Sequence, residues 1–422
     1  MIQTIQLTPG VVLLHYPDSR FKRGAVSLQL VRPMCIEESA KNALLPAVLL
    51  RGTDKCRDLR AITNRLDDLY GASVSTLVRR IGDCQTVGLY LSFIDDRFAM
   101  QGDKILEPMI GFLQETLLDP LLEKGAFSPD FVESEKRNLI STIESELNDK
   151  RSYAAAKLLR QLCQGDSFAV PRLGTIETVE AITPGSLYAH YRQILRTSPV
   201  QICYVGSAAP EAVAQLLMPL ARELAREPIQ LPKQTVFVPG IPGSEVAEEM
   251  AVQQSKLCMG FTCGITSRDP DYAAMQVFNC IYGAGMTSKL FLNVRERLSL
   301  CYYASSAYYG TKGIVTVSSG IDLKHYETAR AEILEQLRQC ALGNITQEEL
   351  DAAKSALVSS LRSVPDSAGA LEGFYGTSAL SESLWDLPEH IARIEAVTAE
   401  DVARVAGTVQ PHTEFLLKGV AE

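Results

Sequence analysis

The stretch IETVEAITPGSLYAHYRQIL, Ile176 to Leu195, returns in altered form as IARIEAVTAEDVARVAGTV, Ile391 to Val409. In each copy a short apolar turn leads to a threonine, and Thr183 and Thr398 stand 215 residues apart. Threonine is a good helix N-cap because its hydroxyl accepts from a first-turn N–H, and Thr-x-x-Asp at 398–401 is close to a capping box. A short apolar strand follows each predicted helix, Val200 to Val205 and Glu414 to Lys418. A second pair keeps the same order. SPDFVESEK from Ser128 parallels TQEELDAAK from Thr346, 218 residues on. Two matches at nearly one offset point to a duplication, and a repeat this long means two similar domains rather than a solenoid.

Working outward, each half carries the same kinds of element. Gly24 to Val31 and Lys256 to Gly264 read as strands, Lys41 to Leu50 and Tyr272 to Tyr282 as helices, and Val87 to Phe93 and Ile314 to Gly320 as strands again. Strands and helices mix without strict alternation, so the expected class is α+β, with two homologous halves, each an antiparallel-rich sheet packed with helices. The expected domains are 1–225 and 246–422, joined by a proline-rich, semi-rigid linker at 226–245.

The chain has 422 residues, 46% of them hydrophobic and 22% charged, which is globular composition. A net charge of −9 without a basic cluster argues against nucleic acid as a partner. The N-terminus MIQTIQLTPG has no basic or apolar signal region. The longest apolar run near it, Ala43 to Leu50, is eight residues and contains a proline, far short of the roughly 18 that a membrane span needs. A soluble, cytoplasmic protein without membrane contact is expected. The ten cysteines include no CxxC pair and sit mostly in apolar contexts, as buried free thiols do.

Two segments bear on function. In KNALLPAVLLRGT, Lys41 to Thr53, the residues Ala43, Pro46 and Ala47 share one helical face at a spacing that suits metal ligands, yet none has a donor atom. Pro46 also removes a backbone N–H from the helix interior. The five histidines, His15, His190, His325, His390 and His412, include no pair three or four residues apart. The second segment is FNCIYGAGMTSKLFLNVRERLSLCYY, Phe278 to Tyr303. Its Gly283-Ala-Gly285 lacks the third glycine of a dinucleotide loop and reads as a tight turn with close backbone approach.

Together these segments resemble the insulinase/pitrilysin family of zinc metallopeptidases, whose inverted motif His-x-x-Glu-His precedes a Lys/Arg-Gly-Thr turn. Arg51-Gly52-Thr53 supplies that turn, while the family's two histidines fall on Ala43 and Ala47 and its general base on Pro46. Its third ligand falls on Thr142, to within a residue or two. The second segment matches the family's C-terminal signature at Gly283, Gly285, Ser288, Leu290, Phe291, Arg295, Glu296, Leu300 and Tyr302, with Ser299 in place of a usual glycine. The resemblance spans the whole chain and is strongest to the inactive subunits of two-chain bacterial members, related to the mitochondrial processing peptidase.

It implies a duplicated metallopeptidase-type (LuxS/MPP-like) fold and a chain without metal, cofactor or catalytic residues of its own. It also implies a zinc-bearing sister subunit as partner, or a homodimer in isolation, and a peptide substrate. In the family, Arg295 and Tyr302 reach the partner half's zinc site and help hold the substrate carbonyl in trans. Two other readings stand beside this one. One is a scaffold protein reusing the fold; the other is a homodimeric hydrolase with different ligands.

One outcome follows directly. The purified chain should hold no stoichiometric zinc and cleave no peptide alone, because positions 43, 46 and 47 carry no His, Glu or Cys. Elemental analysis beside a peptidase assay checks this; one tight zinc per chain with chelator-sensitive cleavage would contradict it.

Overall fold

Strand β3 (Arg23–Pro33) shows how the fold is built. Its side chains alternate between faces, so Val26, Leu28 and Leu30 enter an apolar core while Ser27 and Gln29 point the other way. Both faces are nevertheless buried. A sheet whose polar face is covered needs a polar cover, and that requirement shapes half of the molecule.

The computed structural model describes residues 2–237, 244–383 and 385–419. Residues 238–243, part of the linker expected at 226–245, lie outside them. The chain divides into two compact units, each drawn from three stretches: Met1–Glu144, Val170–Lys233 and Val364–Leu380 form one, and Ser145–Ala169, Gln234–Ser363 and Ser381–Glu422 the other. Each unit therefore includes a segment from the part of the chain that supplies most of the other.

The first unit holds β1 (Gln3–Thr8), β2 (Val11–Pro17), β3, β4 (Ser73–Ile81), β5 (Cys84–Ile94) and β8 (Val200–Gly206) in the order β1-β2-β8-β3-β5-β4, with a two-strand ribbon, β6 (Leu122–Glu123) and β7 (Ala126–Phe127), apart. The second holds β9 (Ser244–Met250), β10 (Ser255–Thr262), β11 (Cys301–Tyr309), β12 (Ile314–Ile321) and β13 (Gln410–Gly419) in the order β11-β12-β10-β13-β9. Strand for strand the sheets agree. The pair β2–β8 is parallel, as is β9–β13, while the joins β8–β3 and β3–β5 are antiparallel, as are β13–β10 and β10–β12. β1 is an addition to the first sheet. The duplicated α+β class expected from the repeat is thus the observed one.

In the first unit, α1 (Ile36–Leu49), α2 (Leu59–Asp68), α3 (Leu106–Leu118), α4 (Pro129–Asn148), α6 (Ile176–Glu180), α7 (Pro184–Thr197) and α8 (Pro210–Glu223) accompany the sheet, and most of them feed the apolar core. In the second unit α9 (Tyr272–Asn279), α10 (Tyr326–Ala341), α11 (Gln347–Ser363), α13 (Leu387–Ala396) and α14 (Ala399–Ala406) do the same. The repeated threonines cap α7 and α14, which precede the equivalent strands β8 and β13. Thr183 and Ser186 exchange capping hydrogen bonds of 3.0 and 3.1 Å, Thr398 and Asp401 bonds of 3.0 and 3.2 Å.

The other face of each sheet is covered by a helix from a distant part of the chain, α12 (Ala368–Leu380) in the first unit and α5 (Lys150–Leu162) in the second. The two covers differ in chemistry. α5 packs Ala154 and Leu158 against Cys258, Phe415 and Leu417. On α12, Glu372 is 1% exposed and accepts from Ser27 (2.8 Å), Gln29 (3.1 Å) and both terminal nitrogens of Arg79 (3.0 and 2.8 Å). A bidentate Arg–carboxylate pair with two further donors satisfies the carboxylate fully. Gln201 on β8 donates to the Gly376 carbonyl at 3.1 Å. Of the ten cysteines, all but Cys35 are buried. Among the described residues no helix is long and apolar enough to cross a membrane.

The polar cover yields a test. Glu372→Ala strands Ser27, Gln29 and Arg79, so chemical denaturation should show a loss of about 3 kcal/mol, the scale of a broken buried pair. An unchanged midpoint would mean that α12 is held by something else.

Candidate functional site

Residues 43, 46 and 47 lie on α1, and the helix continues through Pro46 to Leu49. Ala43 and Pro46 are buried, Ala47 partly so. Since proline has no N–H, the Asn42 carbonyl loses its usual donor four residues on. The helix is held instead through side chains. His190 Nε2 lies 2.7 Å from Asn42 Oδ1, and the Asn42 amide donates to Gln85 Oε1 at 2.9 Å. Gln85 Nε2 then donates to the carbonyls of Ser39 (3.2 Å) and Arg172 (2.7 Å). Burial pushes the His190 imidazole down to about 4, with Glu38 only partly offsetting. The ring is therefore neutral near pH 7, donating to Asn42 through Nε2.

Ala43, Ala47 and Thr142 line one cavity of about 360 Å³, with Val78 of β4 and Leu139 of α4 also on its wall. The side chains at the expected ligand positions are thus brought together. As a zinc set they do not fit. A catalytic zinc needs about three N, O or S donors, whereas Ala43, Ala47 and Pro46 offer carbon only, and the Thr142 hydroxyl donates to the Asn138 carbonyl at 2.9 Å. The described residues contain no group of three or more His, Cys, Asp or Glu placed to hold a metal.

One carboxylate does reach the cavity. Glu135, which the sequence pattern placed on a solvated helix face with Glu133, Glu144 and Glu146, is instead paired with Arg51 at 3.1 Å and accepts from Asn138 at 3.0 Å. Arg51 also lies over the Phe131 ring, 5.3 Å from its centroid. The Arg51-Gly52-Thr53 turn has a structural task of its own. Thr53 is fully buried and hydrogen-bonds to Glu115, which Arg65 pairs at 2.7 Å. Burial pushes the Glu115 carboxyl up, but the bonds from Thr53 and Arg65 outweigh it and hold the group below the ordinary carboxylate range. A Cβ on Gly52 would lie 3.1 Å from the Arg57 carbonyl oxygen.

In the second unit the Phe278–Tyr303 segment departs from the single helix expected over 272–282. α9 ends at Asn279, and Cys280–Ala284 and Leu290–Arg297 form wider i→i+5 turns, with Gly285 N–Cys280 O at 3.1 Å and Leu298 N–Asn293 O at 3.2 Å. Such turns are rare and concentrate at functional sites. Gly283 is there for close approach, because a Cβ would fall 2.6 Å from Ser306 Oγ and 2.7 Å from its backbone nitrogen. Arg295 sits 4.7 Å over the Phe291 ring and 3.4 Å from Glu296, with 42% of its side chain exposed. Tyr302 is 72% exposed. Both are free to meet another molecule. Ser299, where the family pattern has glycine, adopts φ = +50°, a left-handed conformation that glycine adopts without strain.

The chain is thus a duplicated α+β fold whose α1 offers no donor atoms at positions 43, 46 and 47 and whose second half exposes Arg295 and Tyr302. The family profile described as Peptidase M16 inactive domain matches residues 181–357. The probable inactive metalloprotease YmfF of Bacillus subtilis (strain 168) is 30% identical over 400 residues, 95% of this chain and 94% of its own. The antilisterial bacteriocin subtilosin biosynthesis protein AlbE of the same strain is 24% identical over 349 residues, 78% and 83% of the two chains. The crystal structure of a conserved protein from Enterococcus faecalis V583 superposes with a TM-score of 0.91 at 28% identity, covering 100% of this chain and 99% of that one. The chain belongs to the M16 family of zinc metallopeptidases, the insulinase/pitrilysin group.

If the left-handed serine is a residue of convenience, Ser299→Gly should stabilise the protein by about 1 kcal/mol. A thermal or denaturant melt reads it directly. A destabilised variant would show that the serine side chain holds the turn.

Proposed function

We propose that this chain is the non-catalytic subunit of a two-chain zinc peptidase, in which a sister subunit brings the metal and the general base. The observation that carries the reading is an asymmetry within one polypeptide: no donor atom remains at positions 43, 46 and 47, while Arg295 and Tyr302 are kept and stay exposed. Arg and Tyr both donate hydrogen bonds suited to a developing oxyanion. Neither is needed by a zinc site this chain does not have, so their use lies in another chain's reaction. On this reading residues 1–225 form a peptidase-like domain with a degenerate zinc site, 226–245 a linker, and 246–422 a second peptidase-like domain that closes the sister's chamber. The substrate is a peptide or an unfolded segment, taken up as an added strand on a sheet edge. A relative named for bacteriocin biosynthesis, a peptide product, is in keeping with that class. The complex is cytoplasmic, and the chain's partner is the sister subunit or, in isolation, a second copy of this chain.

Reconstitution tests the roles in trans. Arg295→Ala or Tyr302→Phe should lower kcat of the mixed complex by about 10²-fold, the effect of losing one oxyanion donor, while assembly is unchanged. The same changes in the sister should matter much less. Full turnover in both mutants would favour a scaffold role, with these residues serving only the fold.

A further inference from the structure

We propose that the outer edge of β9 docks an extended segment of another protein that carries two basic residues four positions apart, added antiparallel to β9 as a further strand of the second sheet. The inference does not depend on the subunit reading.

The first observation is a place that one sheet fills and the other leaves open. In the first unit β2 lies parallel to β8, and its other side is taken by β1, antiparallel from Gln3↔His15 to Thr8↔Val11. In the second unit β9 holds the place of β2, parallel to β13 from Thr413↔Ser244 to Gly419↔Met250. No described strand pairs with its other side. Alternate residues of β9 therefore turn their N–H and C=O groups outward. Val252 donates to the Met250 carbonyl at 2.8 Å, and among the described residues the rest of that outward row has no partner. Glu245, Val246 and Ala247 are exposed. β1 demonstrates that an antiparallel strand fits beside a strand held in this way.

The second observation is charge. β9 reads Ser-Glu-Val-Ala-Glu-Glu-Met, with no cation. Glu245, Ala247 and Glu249 share one face. Glu245 is 65% exposed and lies 3.5 Å from Arg330, a guanidinium held more closely by Glu414 at 2.8 Å. Glu249 is exposed and makes no ion pair among the described residues, with Lys418 of β13 beside it in register. On the opposite face Glu248 is engaged by Tyr153 and by Lys157 at 3.2 Å. The neighbouring cations thus belong to α5, α10 and β13, while the strand that a guest meets carries only carboxylates.

That charge selects the occupant. A second copy of β9, paired antiparallel about Ala247, would set Glu245 against Glu249 twice, and like charges directly opposite each other are unfavourable. A guest with Lys or Arg opposite Glu245 and Glu249 gains instead two cross-strand ion pairs, ~13 Å apart along the strand. The small Ala247 leaves space between them.

The test uses the full chain and labelled peptides of alternating Thr and Val with a guest pair four positions apart, Lys–Lys, Ser–Ser or Glu–Glu. Fluorescence anisotropy reads affinity and hydrogen exchange reads the place. The Lys pair should bind about tenfold more tightly than the Ser pair, the worth of two cross-strand ion pairs, and the Glu pair most weakly. The bound Lys peptide should slow exchange of the β9 amides. Glu245→Gln combined with Glu249→Gln, at exposed positions that the fold does not depend on, should bring the Lys peptide down to the Ser peptide. N-methylation of alternate amides of the Lys peptide should abolish binding in one phase and spare it in the other, since only one edge of the guest faces β9. Three guests bound alike, a preference surviving the double variant, or protection at β4 or β11 in place of β9 would overturn the proposal. So would binding that neither methylated phase weakens, which charge alone would explain, or a dimer of the chain alone with β9 protected.

Discussion

The buried line of hydrogen bonds from His190 through Asn42 and Gln85 to the Arg172 carbonyl is the constraint on which the placement of α1 depends. Ala43 and Ala47 offer no polar atoms to hold α1 in place, and Pro46 removes one backbone bond as well. The amide line fixes α1 from beneath against β5 and α7, and the Arg51–Glu135 pair fastens its far end to α4. Each amide bond contributes on the order of 1 kcal/mol net, but leaving any of these buried groups unpaired would cost more. The line is therefore all or nothing: with every member satisfied it holds the helix in one place. That is how α1 keeps its place across a residue without a backbone N–H.

The same logic separates the two units. Their sheets match strand for strand, and each has both faces covered, yet one cover centres on a buried apolar cluster and the other on a polar cluster around Glu372. Apolar contacts tolerate small slips of a helix across a sheet. A carboxylate that must meet Ser27, Gln29 and Arg79 at once tolerates none. The polar cover fixes register at the expense of a demanding desolvation, while α5 combines apolar area with rim bonds from Tyr153 and Lys157 to Glu248. Duplication has thus kept the topology and let the chemistry of the covers drift.

Much of this was legible in the sequence. The repeat of Thr183 and Thr398 located two equivalent capped helices, because capping is a local interaction written in four residues. Strand positions followed from alternation, and the absence of donor side chains at positions 43, 46 and 47 is plain from their residue types. The rest depends on contacts distant along the chain. Nothing near Ala368–Leu380 announces that it belongs with Ser27 and Gln29, some 345 residues away. The only hint was polar residues at inward positions of an otherwise apolar strand. Glu135 read as solvent-facing because its partner Arg51 comes from another helix's end, 84 residues earlier. The break in the helix after Asn279 was hidden too, since i→i+5 turns have no distinct periodicity over so short a run.

Position 299 shows the limit from the other side. The substitution of a usual glycine was visible in the sequence, but its consequence, a serine held at φ = +50°, needed the backbone. The functional account turns on whether this inactive chain serves an active one. The most direct measurement is a titration of this chain into a relative from the same cell that retains His-x-x-Glu-His, following peptide turnover and sedimentation together. The account predicts a one-to-one complex, with turnover rising to a plateau at equal amounts of the two chains. A sister fully active alone, with neither complex nor change in turnover on adding this chain, would contradict it.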